Sequence, residues 1–570
     1  MRTRSVQARF FSGRLAVGLI ATLTIALTIF GTQASISAQS APGGHLDLRV
    51  TTTLLTQAAT GGGQAPSPQT PAPQTRRLTI EEAVKLALEN NLGIQIARYD
   101  PQAQDLAVVQ AKAAWTPSFT NQFQQDGQDS PNNSFLAGGL GGKTTNKSFT
   151  NSTGVAQTLP WGGNYAAAWD TSRLTTNSTF TTFSPQLRSG LSLSYEQPLV
   201  RGFGIDSMRQ QVLLSLKSRE ISDVDLRQTI ATTMRTVRNA YWDLAYAYAS
   251  LGVQKQSLDL AEESLRNTRS RVEIGTTPPI DIVEAESEVA TREEAVIVAE
   301  AAIRTAEDAL RALIYNPAMP DFWTITIEAA DIPSFEPIAV DTDTAVRNAL
   351  DKRTDLQRTS KNLEANDVDI RYLRNQILPE VTARLDYGLS GLGGTQLIRG
   401  VGPFGPGSGD VLSQSARGYT SVLGDLFLNR FPAWTASLNI SYPIGTSQAE
   451  ANLARARIQH TQSETQLKSE QLQVATQVRE AARQVQTNQK RVGTTRAARS
   501  FAERRLEAEQ RKFAAGTSTS FIVFQAQRDL ALSRNNELRA ILDYAQSVVD
   551  LETVQEVPLV GGTGTGTAPR

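Results

Sequence analysis

The sequence predicts a mainly α-helical protein with a few membrane β-strands, built from one unit written twice. Three observations predict this fold class: a composition poor in aromatic residues, two stretches too long and too free of proline for a compact domain, and an internal repeat. Of the 570 residues 40 % are hydrophobic but only 6 % are aromatic, whereas the core of a globular enzyme of this length is normally rich in Phe, Tyr and Trp. A composition dominated by Ala, Gln, Arg and Leu favours a few very long helices.

Charge balance and the lack of cysteine exclude several kinds of site. The chain has 56 basic and 56 acidic side chains, two histidines and no cysteine. It can therefore form no disulfide, no thiolate nucleophile and no zinc site that contains cysteine. Balanced charge, without basic patches interleaved with aromatic residues, argues against nucleic acid as a partner.

The first 38 residues have the layout of a secretory signal peptide. Four arginines precede an uncharged apolar run from Leu15 to Phe30, and small residues continue to Ala38. We expect cleavage after Ala38 or Ala34. The alternative is an uncleaved anchor helix, although a run of about 16 apolar residues is short for a membrane span. Without cysteine, the mature chain cannot carry a lipoprotein anchor.

Two stretches predict very long helices that fold back as hairpins. From about 205 to 274 there is no proline and almost no glycine, which allows a helix of about 105 Å at 1.5 Å per residue. Apolar residues recur at alternating spacings of four and three from Ile230 to Leu251, which is a coiled-coil seam, and a similar register runs from Leu467 to Val492. Each long helix stops at a glycine turn, Gly275 or Gly516, after which a helix of roughly 35 residues returns.

The two hairpins belong to an internal repeat. A shift of 262 positions aligns residues 83 to 117 with residues 345 to 379, and a shift of 241 positions aligns residues 237 to 290 with residues 478 to 531. The matched positions include a proline where helix gives way to strand in each copy and the glycine of each turn. The unit is therefore helix, strand, long loop, strand, long helix, turn and return helix.

These boundaries divide the chain into six segments. They are a signal peptide (1–38), a disordered tether rich in Gly, Gln and Pro (39–77), the first repeat (78–315), a connection (316–341), the second repeat (342–555) and a disordered Gly/Thr tail (556–570).

Four short segments alternate apolar and polar residues, as expected of strands with one apolar face. They are Phe119–Gln125, Leu191–Tyr195, Val381–Leu389 and Trp434–Tyr442, the last with an aromatic residue at each end, as in the girdles of membrane barrels. Taken singly, each also fits the half-buried sheet of a soluble protein. Apart from the signal, no segment offers eighteen uncharged apolar residues, so a chain that crosses a bilayer would do so as strands of a closed barrel.

The order of these features resembles the TolC family of outer-membrane efflux and secretion ducts. The resemblance rests on Leu78–Asn91 at the opening of the first copy, on Glu196–Gly204 after a strand, and on the turns at Gly275 and Gly516, and it covers about residues 78 to 555. It implies a homotrimer in the outer membrane. Twelve strands, four per chain, would close one β-barrel, which a long periplasmic α-helical barrel would continue.

The predicted strand count by itself requires several copies of the chain. Four strands are too few to close a barrel, and open sheet edges in lipid leave backbone groups unpaired. Two loops are longer than usual in the family: residues 127–188, with a candidate hairpin around Trp161–Asn164, and residues 388–431. We expect both loops to lie outside the cell, where they plug or shield the pore.

No arrangement of residues predicts catalysis. His45 falls in the tether and His460 on a helix, and neither has a nucleophile or a metal ligand beside it. The sequence also lacks a phosphate-binding GxxxxGK[ST] run and a GxSxG elbow. We therefore expect no enzyme activity, no cofactor, no metal and two solvated histidines.

The resemblance implies a passive exit duct of a tripartite pump that expels drugs, metals or other small molecules. An inner-membrane transporter would supply the energy through a periplasmic adaptor, or membrane fusion, protein. The alternative is the exit duct of a type I protein secretion system with an ABC transporter. A coiled-coil envelope protein without a pore and an exported enzyme are further alternatives, but the first gives the strands no purpose and the second lacks catalytic residues. The sequence does not name the cargo.

Both glycine turns are candidates for the surface that meets the adaptor. The resemblance places this contact at Gly275, Thr276, Gly516 and Thr517, and a residue without Cβ allows a partner backbone to approach closely. The alternative is that both glycines only cap their helices.

Two acidic residues are candidates for a pore constriction. Asp281 and Glu284 follow the first turn at a spacing of three, which places them on one helix face, and threefold symmetry would make two carboxylate rings of them. Such rings would favour cations. The second copy has Ile522 and Gln525 at the matching positions, so only the first copy can supply the ring. The alternative is that both acids only stabilise the amino end of their helix through its dipole.

Overall fold

The computed structural model describes most of the chain beyond the amino-terminal region. The described residues are 75–132, 142–331, 335–402, 405–445 and 447–557. The predicted signal peptide and the tether as far as residue 74 lie outside them.

In the described residues, groups of helices alternate with groups of strands. The helices are α1 (Ile80–Asn90), α2 (Leu92–Ala113), α3 (Ser207–Glu273), α4 (Ile280–Ile314), α5 (Thr342–Lys352), α6 (Thr354–Gln376), α7 (Tyr419–Phe427), α8 (Gln448–Ala514) and α9 (Ser520–Gln555). The strands are β1 (Thr75–Leu78), β2 (Ser118–Pro131), β3 (Lys143–Thr158), β4 (Asn164–Thr176), β5 (Phe183–Pro198), β6 (Thr326–Ala329), β7 (Glu380–Gly402), β8 (Gly405–Arg417) and β9 (Pro432–Ser441).

The order of these elements confirms the two internal repeats. The first copy runs from α1 and α2 through β2 to β5 into the hairpin of α3 and α4, and the second runs from α5 and α6 through β7 to β9 into the hairpin of α8 and α9. Pro117 and Pro379 lie between the last short helix and the first strand of their copy, as predicted. Each copy therefore delivers its strands to one end of a helical hairpin.

The two long helices have the same length and similar beginnings. α3 and α8 are 67 residues each, or about 100 Å at 1.5 Å per residue. Asp206 caps α3 by accepting a hydrogen bond from the Arg209 N–H, and Ser447 forms a reciprocal capping box with Glu450 at the start of α8. Among the described helices, none combines the length and the apolar character needed to cross a membrane.

Each copy has its own hydrophobic core where its short first helix packs on its hairpin. In the first copy, Val237, Tyr241 and Leu244 of the α3 seam are fully buried beneath α1 and beside α4. In the second copy, Val478 and Val485 of α8 are buried in the same way beneath α5 and beside α9. The predicted seams are thus the lines along which each hairpin closes.

A small parallel sheet joins the start of the first copy to the segment between the copies. β1 pairs with β6 from Thr75 opposite Thr326 onward. The tether predicted for 39–77 therefore stops before Thr75, and the connection predicted for 316–341 contains a strand that the sequence did not reveal.

The carboxyl end of the second repeat is held by two hydrogen bonds to α6. Glu556, the first residue of the predicted tail, ends α9 in the left-handed conformation and accepts hydrogen bonds from the N–H and the hydroxyl of Thr354 at 2.9 and 2.8 Å. Residues 558–570 lie outside the described residues.

The large sheet contains more strands than predicted. It is antiparallel throughout, with the order β2, β3, β4, β5, β7, and β7 is flanked on its far side by β9 near the helices and by β8 farther away. The four predicted strands fall on β2, β5, β7 and β9, although Tyr442 lies one residue beyond the end of β9. The sheet of one chain therefore has seven strands where the sequence predicted four.

The additional strands were missed because they lack an apolar alternation. β3 is a run of Thr, Ser, Asn and Lys with few apolar residues, so a search for alternating hydrophobicity passes over it, although threonine favours the extended backbone. β3 and β4 lie in the predicted loop 127–188, and β8 and α7 lie in the predicted loop 388–431.

The turn between β3 and β4 lies at the helical end of the sheet. The predicted hairpin around Trp161–Asn164 is confirmed, with Thr158 opposite Asn164 and Gly162 in the left-handed region at φ +92°. A Cβ at Gly162 would lie 3.0 Å from the carbonyl oxygen of Gly202, just before α3. The expectation that all of 127–188 extends away on the outer side is therefore wrong, because this hairpin returns to the level of the helices.

A short helix lies on the sheet where β8 ends and β9 begins. α7 packs on β7 through Val422, and a Cβ added at Gly391 would lie 2.4 Å from the Val422 carbonyl oxygen. The buried carboxylate of Asp425 on α7 is 2.8 Å from Arg417 and from Arg430. Glycine in the strand therefore makes room for the helix, and two ion pairs hold the helix there.

Candidate functional sites at the helical tip and on the sheet

The first glycine turn is a Schellman cap. Gly275 has φ +78°, its N–H donates to the Val272 carbonyl at 2.9 Å, and the Thr276 N–H donates to the Arg271 carbonyl at 2.9 Å. This is the double hydrogen bond that ends a helix on a left-handed residue. Glycine takes this conformation without a Cβ penalty.

The second turn repeats this geometry. Gly516 has φ +76°, its N–H donates to the Phe513 carbonyl at 3.1 Å, and the Thr517 N–H donates to the Lys512 carbonyl at 2.9 Å. Apart from the neighbouring backbone of each turn, no atom of the described residues lies within 4 Å of a Cβ placed on Gly275 or Gly516. Both glycines are therefore helix caps that also present open, exposed backbone.

The two hairpins contact each other at their tips. The Arg271 guanidinium donates to the Phe513 carbonyl at 3.2 Å and lies 4.3 Å from the centre of the Phe513 ring, which is a cation–π distance. The Ser520 hydroxyl donates to the Asp281 carboxylate at 3.0 Å. These contacts link the end of α3 to the end of α8, and the start of α4 to the start of α9.

A buried carboxylate strengthens this link two turns farther into the bundle. Glu288 of α4 is 2.6 Å from Arg292 on the same helix and 3.2 Å from Arg528 on α9. Its side chain is only 8 % exposed, and that of Arg292 only 13 %. Glu288 is therefore a charged bridge between the hairpins.

The two candidates for a constriction ring have different surroundings. Asp281 accepts the Ser520 hydrogen bond, whereas Glu284 is exposed and makes no hydrogen bond or ion pair within the described chain. Asp281 also lies in the first turn of α4, where a carboxylate is stabilised by the helix dipole. Of the two candidates, only Glu284 has a carboxylate without a partner in the described chain.

An acidic residue near the second turn is paired locally. The Lys512 ammonium at 2.7 Å and the Ser518 hydroxyl at 3.0 Å both donate to Glu509 and hold the pKa of its carboxyl below the ordinary value. The second tip therefore carries a compensated charge where the first has the free carboxylate of Glu284.

The residues that link the hairpins were missed because the two copies differ there. Arg271 corresponds to Lys512, and Asp281 to Ile522. A search for identical residues at a fixed shift detects what the copies share, whereas a contact between the copies requires complementary residues.

Several apolar side chains at the tip are exposed. They are Ile274, Ile280, Val283 and Phe521. Together with the open glycine turns they give the tip an apolar surface of the kind that marks protein contacts.

One face of the large sheet is more apolar than the other. Residues directly opposite each other in an antiparallel sheet share a face, and the pairing places these on one side: Phe119, Phe123, Val155, Trp169, Leu191, Leu193, Leu385, Tyr387, Trp434, Leu438 and Ile440. The same side also holds Asn121 and Thr153, whose side chains hydrogen-bond to each other at 3.1 Å.

The opposite face of the sheet is polar and charged. It carries these residues: Thr120, Gln122, Ser152, Asp170, Ser192, Ser194, Arg384, Asp386, Thr435 and Ser437. A sheet with one apolar and one polar face suits a wall between lipid and water.

His460 is less solvated than predicted. Its side chain is 22 % exposed, with Nε2 3.1 Å from an Asp367 oxygen and Nδ1 3.7 Å from a Glu464 oxygen. The described residues contain no group of three or more His, Asp or Glu side chains arranged to hold a metal ion.

A family model decides between the alternative folds. The model of the outer membrane efflux protein family matches residues 83–314 and 345–554. This chain belongs to that family. The outer membrane efflux protein assignment confirms the resemblance to the TolC family and the two-copy architecture, and it confirms the outer membrane as the location.

Solved structures of outer-membrane channels share the fold of this outer membrane efflux protein. The CusC channel matches with a TM-score of 0.59 and 15 % identity over 84 % of this chain and 91 % of its own. CmeC of Campylobacter jejuni matches with a TM-score of 0.58 and 15 % identity over 84 % of this chain and 85 % of its own. VceC of Vibrio cholerae matches with a TM-score of 0.58 and 16 % identity over 84 % of this chain and 97 % of its own. No curated protein sequence matches the chain.

Proposed function

We propose that this protein is the passive outer-membrane exit duct of a tripartite pump that expels small molecules. The observation that carries the proposal is the continuity of each long helical hairpin with a sheet that has one apolar and one polar face. Three copies would place the polar face around a water-filled path and the apolar face against lipid. The helices would extend this path across the periplasm.

The energy for transport is assigned to partners. The sequence contains no phosphate-binding motif, so an inner-membrane transporter would supply the energy through a periplasmic adaptor. The adaptor would meet the tip at Gly275, Thr276, Gly516 and Thr517, supported by the open glycine backbone and by the exposed apolar side chains around it.

The adaptor contact is testable with a matched control. Gly275→Leu together with Gly516→Leu should abolish cross-linking to the adaptor, because each new side chain fills open space at the tip. Gly252, on α3 and away from the turns, also has open space at its Cβ position, so Gly252→Leu should leave cross-linking intact. Normal efflux and normal cross-linking in the double variant would refute the contact.

We also propose that Glu284 and Asp281 line a constriction at the tip that favours cations over anions. Three copies would bring six carboxylates together, which favours cations. In single-channel recordings, Asp281→Asn with Glu284→Gln should weaken the cation preference. Unchanged permeation with lowered stability would instead support a dipole role for Asp281.

A deletion strain tests the proposed class of cargo. Loss of the gene should raise sensitivity to drugs or metals, and the native gene should restore resistance. Missing secreted proteins with unchanged sensitivity would instead support a type I secretion duct. A strain without either defect would contradict the proposed function.

A further inference from the structure

The large sheet of one chain ends in two free edges that run in opposite directions. Six strands follow one another as β2, β3, β4, β5, β7 and β9, each antiparallel to the next. Because the number is even, β2 runs away from the helices and β9 runs back toward them. Within the described residues, β2 and β9 each pair on one side only.

The same two flanks are open in the helical layer. Where the helices approach the sheet, their packing order is α2, α3, α6, α8. The outer helix α2 leads directly into β2, and β9 leads directly into the other outer helix, α8. One flank of the chain therefore consists of α2 and β2, and the other of β9 and α8.

The first flank is apolar where no part of the described chain covers it. Ile96, Tyr99, Leu106 and Val109 of α2 are each more than 60 % exposed, and their spacings of three, seven and three place them on one helix face. A helix stripe of this kind normally packs on another helix.

The two edge strands have matching faces. On β2, Phe119 and Phe123 lie on the apolar side of the sheet and Gln122 on the polar side. On β9, Leu438 lies on the apolar side and Ser437 on the polar side. Pairing β2 with β9 would continue both faces without interruption.

We propose that β2 of one copy pairs with β9 of the next, so that three copies close a sheet of eighteen strands, six from each chain. The proposal rests on the trimer of the proposed function. It satisfies the backbone groups of both edges, which lipid cannot do, and it places the exposed stripe of α2 against the α8 flank of the neighbour. The β3–β4 hairpin is then part of the pore wall.

The added hairpin widens the mouth of the duct. With a strand spacing of about 4.8 Å and a tilt of about 40°, eighteen strands enclose a backbone cylinder about 36 Å across, against about 24 Å for twelve. The cross-section at the outer mouth is therefore about twice that of a channel with four strands per chain.

Disulfide formation distinguishes six strands per chain from four. The chain has no native cysteine, so only the introduced cysteines can form disulfides. Ala166 and Ser194 face each other on β4 and β5, and Ala166→Cys with Ser194→Cys should form a disulfide. Thr120 and Ser192 lie on one line across the sheet with β3 and β4 between them.

Thr120→Cys with Ser192→Cys is the matched control. Three strand spacings of about 4.8 Å place these residues about 14 Å apart, beyond the reach of a disulfide. If the hairpin left the sheet and β2 lay directly beside β5, this pair would form the bond and the Ala166–Ser194 pair would not. That outcome overturns the six-strand wall.

A second set of cysteines tests the seam between copies. Asn121→Cys would be combined in turn with Trp434→Cys, Ala436→Cys and Leu438→Cys, which sample the register of β9 on the same face. One combination should convert the single-chain band into a disulfide-linked three-chain product in the membrane. Trimers by native mass spectrometry without any such product would overturn the seam and leave the proposed function standing, whereas recovery of a monomer would overturn both.

Discussion

Glu288 holds the first hairpin to the second, and its neutralisation should loosen the tip. Glu288→Gln keeps the shape of the side chain but removes the charge that Arg292 and Arg528 share. Arg292 is only 13 % exposed, so it would keep a nearly buried positive charge without a counter-ion. Arg528 is half exposed, so solvent screens its ion pair with Glu288.

The size of the effect follows from the buried pair alone. A hydrogen bond to a charged group contributes about 1.5–3 kcal/mol, and we take about 2 kcal/mol for Glu288 and Arg292. A local opening of α4 that brings Glu288 and Arg292 into water should then become about 30-fold more frequent. Hydrogen exchange of the backbone amides from 280 to 292 in the assembled protein measures this frequency.

Glu284→Gln is the matched control on the same helix. Glu284 is exposed and unpaired in the described chain, so this variant loses the same charge without breaking a contact. Exchange should stay at the native rate. An equal rise in both variants, or no rise in Glu288→Gln, would refute the role of Glu288 as a bridge.

Two further predictions concern α7 and the contact between α3 and α6. Gly391→Ala should displace α7 and lower the free energy of unfolding by about 1–3 kcal/mol, because its Cβ would lie 2.4 Å from a carbonyl oxygen. Hydrogen exchange of the α7 amides should therefore rise. Gly388→Ala, whose Cβ would lie 3.8 Å from the nearest atom, should leave that exchange unchanged. Hydrogen bonds from Lys361 and Lys217 lower the pKa of Glu220 below 4.5, so this tie is complete above pH 4.5 and is lost as the pH falls further. Thermal midpoints should show Lys361→Met destabilised at pH 7, and the difference from the native protein should shrink as the pH falls below 4.5; a difference as large at pH 3 as at pH 7 would contradict the ion pairs.

The helices could be predicted from the sequence because their determinants are local. The seam around Val237 and Val478 has the spacing of a packed helix, and Gly275 and Gly516 are the residues that a Schellman cap requires. These signals lie within a few residues of each other, and so the two hairpins and their repeat were found.

The full number of strands in the large sheet could not be predicted, because the additional strands are recognisable only from their pairing with neighbouring strands. β3 has neighbours on both sides, and its Thr and Ser side chains lie opposite partners that are distant in sequence. Without an apolar alternation, only the pairing itself shows that residues 143–158 form a strand. The predicted loop was therefore too long and the predicted strand count too low.

The contacts at the tip could not be predicted for a related reason. Arg271 and Phe513 meet only after each hairpin has formed and the two lie side by side. Neither residue has a signal within its own helix that names the other. The exposed Glu284, in contrast, was found because its spacing from Asp281 is local.

An electron cryomicroscopy map of the full-length protein in lipid nanodiscs tests the central claim most directly. We predict three copies around one axis, with a single continuous water-filled path from the outer end of the sheet to the glycine turns at Gly275 and Gly516. Helices packed around the axis without a lumen, as in a structural coiled coil of the envelope, would contradict the claim.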